Sequence, residues 1–180
     1  MTTPQEQRNL RLQSDYQEMQ NIKGDIIQWK PIKGEPPYVE AYEITVNIRT
    51  IIGSEPKYRD KHTIRVELYG DYPISPPKTT MVSEPQPFHP NWYSSRRWCY
   101  GTWFLSEGLG HYVIRMIRTL QFDLEITNPN SPANSTANNW FKKNLNKGIF
   151  PCDNTLLPDP TVQKTRFKVI KQPKKKFLVR

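Results

Sequence analysis

The sequence predicts an α+β domain in which helices cover one face of a four-stranded antiparallel sheet. Three observations carry this. The chain opens on a polar stretch free of helix breakers. Several short segments with period-two alternation follow, separated by links rich in Pro and Gly. A strongly amphipathic segment of helical period comes after them. Consecutive strands with short links make an antiparallel meander.

The elements follow in order. Residues 5–22 contain no Pro or Gly and are rich in Gln, Glu, Arg and Leu. Leu10, Leu12, Tyr16 and Met19 roughly keep helical spacing, and Gly24 marks the end. Residues 26–30, with Trp29, form a first strand. Over 41–51, Tyr42, Ile44, Val46 and Ile48 alternate with Glu43, Thr45, Asn47 and Arg49, which predicts one long strand. Over 61–69, Ile64, Val66 and Leu68 oppose Arg65 and Glu67, and 78–82 supplies the fourth strand. Lys33-Gly34-Glu35-Pro36-Pro37 and Gly53-Ser54-Glu55-Pro56 read as links between strands.

After Val82 the character changes. Pro85, Pro87 and Pro90 forbid regular structure, and Trp92, Tyr93, Trp98, Tyr100, Trp103 and Phe104 crowd around Cys99. Residues 112–126 then read as a helix with Val113, Ile114, Met116, Ile117, Leu120 and Leu124 on its apolar face. Asn128-Pro129-Asn130-Ser131-Pro132 stops it. Residues 136–146 form a shorter helix with Trp140, Phe141 and Leu145 apolar, and 165–170 read as an edge strand.

The length of 180 residues fits one domain, here residues 1–150, with a Pro-containing basic extension over 151–180. Two cysteines make no disulfide framework. Without C-x-x-C or a Cys/His cluster, no metal or other cofactor is expected. The polar N-terminus and the lack of a long apolar run predict a soluble cytoplasmic protein. Asn134-Ser135-Thr136 matches a glycosylation sequon, which is read as accidental in that compartment. The net charge of +9 is local: Lys164, Arg166, Lys168, Lys171, Lys174, Lys175, Lys176 and Arg180 account for all but one unit of it, with no acid among them. The domain itself is near neutral. This weighs against a nucleic-acid-binding domain and leaves the tail either solvated or steering an acidic partner.

The residues that could carry chemistry gather around Cys99. A lone cysteine among aromatics reads either as a small buried hydrophobe or as a nucleophile. Arg96 and Arg97 precede it, and His62, His89 and His111 are the candidate bases. His89, followed by Pro90, reads equally as a structural ring holding a turn. Taken singly, these residues leave both readings open.

Taken together, they resemble the ubiquitin-conjugating (UBC) enzyme family. Tyr72-Pro73-x-x-Pro76-Pro77 resembles the family's turn between its third and fourth strands. His89-Pro90-Asn91 matches its His-Pro-Asn motif, and Cys99 follows at the spacing of its active-site cysteine. Asn128-Pro129-Asn130 and the run Ser131 to Ala137 resemble segments beyond the active site, and Pro56 sits near a Pro-Tyr turn. The likeness spans residues 5–145. It implies a UBC fold and a transfer cycle in which Cys99 accepts ubiquitin or a ubiquitin-like protein from an activating enzyme as a thioester and passes it to a target lysine. It further implies that Asn91 stabilises the oxyanion or holds the active-site loop, that His89 and Pro90 fix the turn, and that Ser131 stands beside the incoming lysine where many members carry Asp.

There are departures. The Trp-Ser-Pro stretch expected after the cysteine is Trp103-Phe104-Leu105-Ser106-Glu107, and the apolar residue after Tyr-Pro, often Phe, is Ile74. Both places help dock ligases in the family, so use of a ligase is left open. The divergence points to bacterial or viral members, of the kind encoded beside an activating enzyme and a deconjugase in antiviral operons. A relative that lost catalysis and only binds a ubiquitin-like protein is the second reading, and the presence of Cys99 weighs against it.

Overall fold

The computed structural model describes residues 2–163. The basic tail from Lys164 onward and the edge strand expected at 165–170 lie outside the described residues.

The architecture is α+β: an N-terminal helix, a four-stranded antiparallel sheet and later helices. Helix α1 spans Pro4–Ile22 and starts with a capping box, in which Thr3 Oγ1 accepts from the Glu6 amide and the Glu6 carboxylate accepts from the Thr3 amide. Strands β1 (Ile27–Lys33), β2 (Ala41–Val46), β5 (His62–Glu67) and β6 (Lys78–Met81) form the main sheet in that order. The predicted alternation sets its faces. Trp29, Ile44, Ile64 and Met81 are register partners across the four strands, and all are buried. On the opposite face the partners Lys30 and Glu43 form an ion pair of 2.8 Å. Helix α2 (Leu109–Leu120) lies beside α1, and both contribute to the core on the inward face of the sheet.

The strand expected over 41–51 is two strands. The β2 ladder stops at Val46 because Asn47 turns to the link between α1 and β1: its amide donates to Ile26 O and its side chain to Asp25 O. The chain restarts as β3 (Thr50–Gly53), which pairs with β4 (Lys57–Arg59). Residues 53–56 are therefore the tip of a hairpin set between β2 and β5.

The helix expected over 112–126 is shifted toward the N-terminus. It begins at Leu109 because carboxylates from α1 satisfy its first amides: Asp15 accepts from Leu109 N at 2.8 Å, and Glu18 accepts from Gly110 N at 2.9 Å. It ends at Leu120 because Phe122 adopts φ 57°, in the left-handed region, and turns its ring into a second core. Leu124, expected on the apolar face, is consequently 50% exposed. Helix α3 (Ser135–Asn144) is capped by Asn134, whose side chain accepts from Ala137 N, and runs on into a 3-10 turn, Leu145–Lys147.

The second core joins Ile51 of the hairpin, Phe122 and Phe141, with Trp140, Phe150 and Cys152 against it. Residues 151–163 then cross the domain as a strap. Cys152 N donates to Gln121 O, Asp153 accepts from the Arg49 amide, and the Asn21 side chain donates to Pro160 O. Burial pushes the Cys152 thiol up to about 12, so this cysteine packs as a neutral group.

One buried carboxylate ties these parts together. Asp15 accepts from Arg11 Nε, from the Tyr72 hydroxyl of the proline turn and from Leu109 N. Burial raises its carboxyl above the ordinary range, and the three donors oppose that shift. Arg11 also donates to the backbone of Leu105 and Glu107. Asp15→Ala would strand this set of donors. We expect a loss of on the order of 3 kcal/mol in urea unfolding; a loss under about 1 kcal/mol would mean that the hub is dispensable.

Candidate active site

Cys99 ends a short stretch docked on the edge of the sheet. Met81 N donates to Arg96 O and Trp98 N to Thr79 O, which fastens residues 96–98 along β6. Trp98 is buried, with its ring edge-on to Tyr112 of α2 at 5.0 Å between centroids and the Arg115 guanidinium 5.1 Å from its centroid. Alternation then sends the next side chain outward. The Cys99 thiol is half-buried and opens on a depression of about 410 Å³ lined by Tyr93, Ser95, Arg97 and Tyr100.

The His89-Pro90-Asn91 triplet is held next to it by backbone bonds. Cys99 N donates to Asn91 O at 3.0 Å, and Trp92 N donates to His89 O at 3.1 Å. Asn91 is buried, and its carboxamide closes on one residue of the loop after α2: Nδ2 donates to Asn128 O at 2.9 Å, while Oδ1 accepts from Asn128 N at 2.7 Å. These two bonds tie the Asn91 side chain to the Asn128 backbone. Pro90 O accepts from Ala133 N at 2.7 Å and from Asn134 N at 3.1 Å. Ser131 is exposed in the short loop between these two anchor points. The triplet thus binds Cys99 on one side and the Ser131 loop on the other.

His89 is fully buried, and its ring lies 4.3 Å from that of Phe122. Its Nδ1 accepts from Asn91 N at 2.9 Å, so the ring proton sits on Nε2, facing Thr127 Oγ1 at 3.5 Å. Burial pushes its pKa down to about 3. His62 sits at Ile48 O and Arg59, pushed down to about 4 chiefly by burial, and His111 meets Glu18 on the surface. Each histidine is committed away from Cys99, which leaves no cysteine–histidine dyad of the hydrolase kind among the described residues. Nor do three or more His, Cys, Asp or Glu side chains gather there as metal ligands.

Arg96 adopts φ 69° and pairs with Glu84, while Arg97 is exposed at the depression. The residue missed by sequence reasoning is Tyr93, whose hydroxyl lies 3.8 Å from Cys99 Sγ. Its hydroxyl on the triplet side of Cys99 was the one available signal. On the far side, Trp103 Nε1 donates to Pro73 O and joins the proline turn to the 103–107 loop, where Ile74, Phe104 and Leu105 are exposed. No helix among the described residues is long and apolar enough to cross a membrane. No protein-family model matches the chain, so the resemblance rests on the motif residues themselves.

The two buried histidines give the fold a pH dependence. Their folded pKa values lie below the ordinary 6.5, so the unfolded chain binds more protons between about 4 and 6.5. Their contribution is complete above that window and is lost as pH falls through it, at about 1.4 kcal/mol per pH unit for each ring. Asp15, raised by burial, opposes this toward the acid end. Thermal melts should therefore hold level above about pH 6.5 and fall from there to pH 4.5. The His89→Gln variant should show a visibly shallower slope, and an unchanged slope would contradict the neutral burial of His89.

Proposed function

We propose that the protein is a conjugating enzyme of the ubiquitin type with a UBC-like fold. It carries ubiquitin or a ubiquitin-like protein as a thioester on Cys99 and passes it to an amine of a target protein. The observation that carries this reading is the coupling of three sequence-distant pieces at one thiol. Asn91 takes the Cys99 amide on its carbonyl and the Asn128 backbone on its side chain, and the thiol opens on a surface depression.

The chemistry asks little beyond placement. In charging, the Cys99 thiolate attacks the thioester carbon on an activating enzyme. A new carbon–sulfur bond forms, the old one breaks, and its electron pair leaves on the activating enzyme's sulfur, which takes a proton from water in place of the one Cys99 gave up. In discharge, a neutral amine attacks the same carbon, the carbon–sulfur bond breaks with its pair returning to Cys99, and the amine proton passes to water. Thioester exchange is nearly isoenergetic, so positioning and charge stabilisation do most of the work. The Ser131 loop, anchored at Asn128 and Ala133, flanks the route of the amine. A hydroxyl there orients an amine but does not act as an effective base. Ile74, Phe104 and Leu105 offer an exposed apolar surface at the places where the family resemblance would seat a ligase.

The test is a charging assay with candidate activating enzymes, ATP and their ubiquitin-like proteins. The expected product is an adduct cleaved by thiol reductant. Cys99→Ala should abolish it, and Cys99→Ser should replace it with an ester that resists reductant and yields to base. If wild-type protein binds a ubiquitin-like protein without ever forming the adduct, the chain is a binding module rather than an enzyme.

A further inference from the structure

We infer that Asn138 is a positioning residue of the transfer step: its buried carboxamide holds Pro129 and through it keeps the loop bearing Ser131 in one conformation beside Cys99.

The loop from Asn128 to Asn134 has no ladder of its own and is held from outside. Asn91 holds its first residue, and Pro90 O takes the amides of Ala133 and Asn134 at its end. Pro129 lies between these anchors and has no N–H, so only its carbonyl can be gripped. That carbonyl accepts from Asn138 Nδ2 at 3.0 Å. Asn130 N then donates to Asn128 Oδ1 at 3.0 Å, which turns the chain back on itself. Residues 128–130 are thereby fixed in turn, and Ser131 and Pro132 follow as an exposed span before the far anchor.

Asn138 is not the residue that packing alone would place here. It lies near the start of α3, 4% exposed, next to the buried Ala137 and one turn before the buried Phe141. Ala or Leu would suit a buried helical position better by propensity. The carboxamide has one orientation open to it, because only its NH2 end donates to a carbonyl. That orientation leaves Oδ1 buried with no hydrogen-bond partner among the described residues. An unmet buried acceptor is a cost that folded proteins seldom carry. What it secures here is a single bond, and that bond ends on the loop beside the thiol.

Attack by an amine on a thioester carbon depends on alignment, so a shift in one wall of its route lowers the rate. Asn138 touches neither the thiol nor the amine. It forms no covalent bond and moves no proton in that step, and it acts through the loop.

The part in transfer rests on the proposed conjugating activity, while the hold on the loop is measurable without a partner. Amide hydrogen exchange is followed in full-length wild type, in Asn138→Ala and in Asn138→Leu, which keeps the branching of the side chain. Protection at Asn128 and Ala133 should fall about five-fold in both variants, with Ile44 and Ile64 of the sheet unchanged as the mark of an intact fold. Wild-type protection at both loop amides would overturn the assignment. Transfer is read after acylating Cys99 with a small thioester, acetyl-Gly-Gly-mercaptoethanesulfonate. Its aminolysis by free lysine is compared with that by hydroxylamine, which is small and needs little alignment. The lysine-to-hydroxylamine rate ratio should fall about five-fold in Asn138→Ala, and no further when Asn138→Ala is added to Ser131→Ala. An unchanged ratio would reduce Asn138 to a structural role and overturn its part in transfer. A wild-type protein that fails to charge while the exchange result holds would instead remove the conjugating reading and leave the hold on the loop standing.

Discussion

The Asn91 carboxamide is the constraint on which the site depends. Its two ends close on the amide and carbonyl of a single residue, Asn128, which lies 37 positions further along the chain. A side chain bonded in this way acts like one rung of a sheet, holding a loop that has no ladder of its own. Each bond is worth about 1 kcal/mol by itself. Their value is geometric: they fix the loop bearing Ser131 against the triplet whose main chain also holds Cys99. Pro90 O adds the second attachment through Ala133 and Asn134. The buried His89 ring supports the arrangement from below by accepting the Asn91 amide, and Phe122 packs against that ring.

Two further constraints frame this clamp from opposite sides. On one, Asp15 draws the proline turn, the 105–107 loop and the start of α2 to a single point on α1 through Tyr72, Arg11 and Leu109. On the other, the left-handed turn at Phe122 stops α2 and drops an aromatic ring into the second core beside His89. The site therefore sits between a polar hub and an aromatic one. The thiol opens outward because the buried neighbour Trp98 takes the inward position of an alternating stretch.

Much of the frame was legible in the sequence because its causes are local. Tyr42, Ile44 and Val46, with Ile64, Val66 and Leu68, announce their buried faces by alternation, and all six are buried. The features that escaped have distant causes. The break after Val46 depends on acceptors at Asp25 and Ile26, and the early start of α2 depends on carboxylates at positions 15 and 18. Residues 57–59 were too short a strand to show a period, and Leu124 looked helical until Phe122 turned the chain. At the site, the triplet and the cysteine could be read from spacing, but their partners could not. Nothing local marks the Asn128 backbone as the mate of Asn91, or brings Tyr93 back onto Cys99, since both depend on how turns close in space.

The clamp is tested most directly by amide hydrogen exchange at Asn128 in wild type and in Asn91→Ala. With the side-chain acceptor gone, the Asn128 amide loses its partner. Its protection should fall by about ten-fold or more, while the sheet amides of Ile44 and Ile64 keep theirs. An Asn128 amide that exchanges at the wild-type rate in Asn91→Ala would show that the loop is held by other means, and would contradict the account.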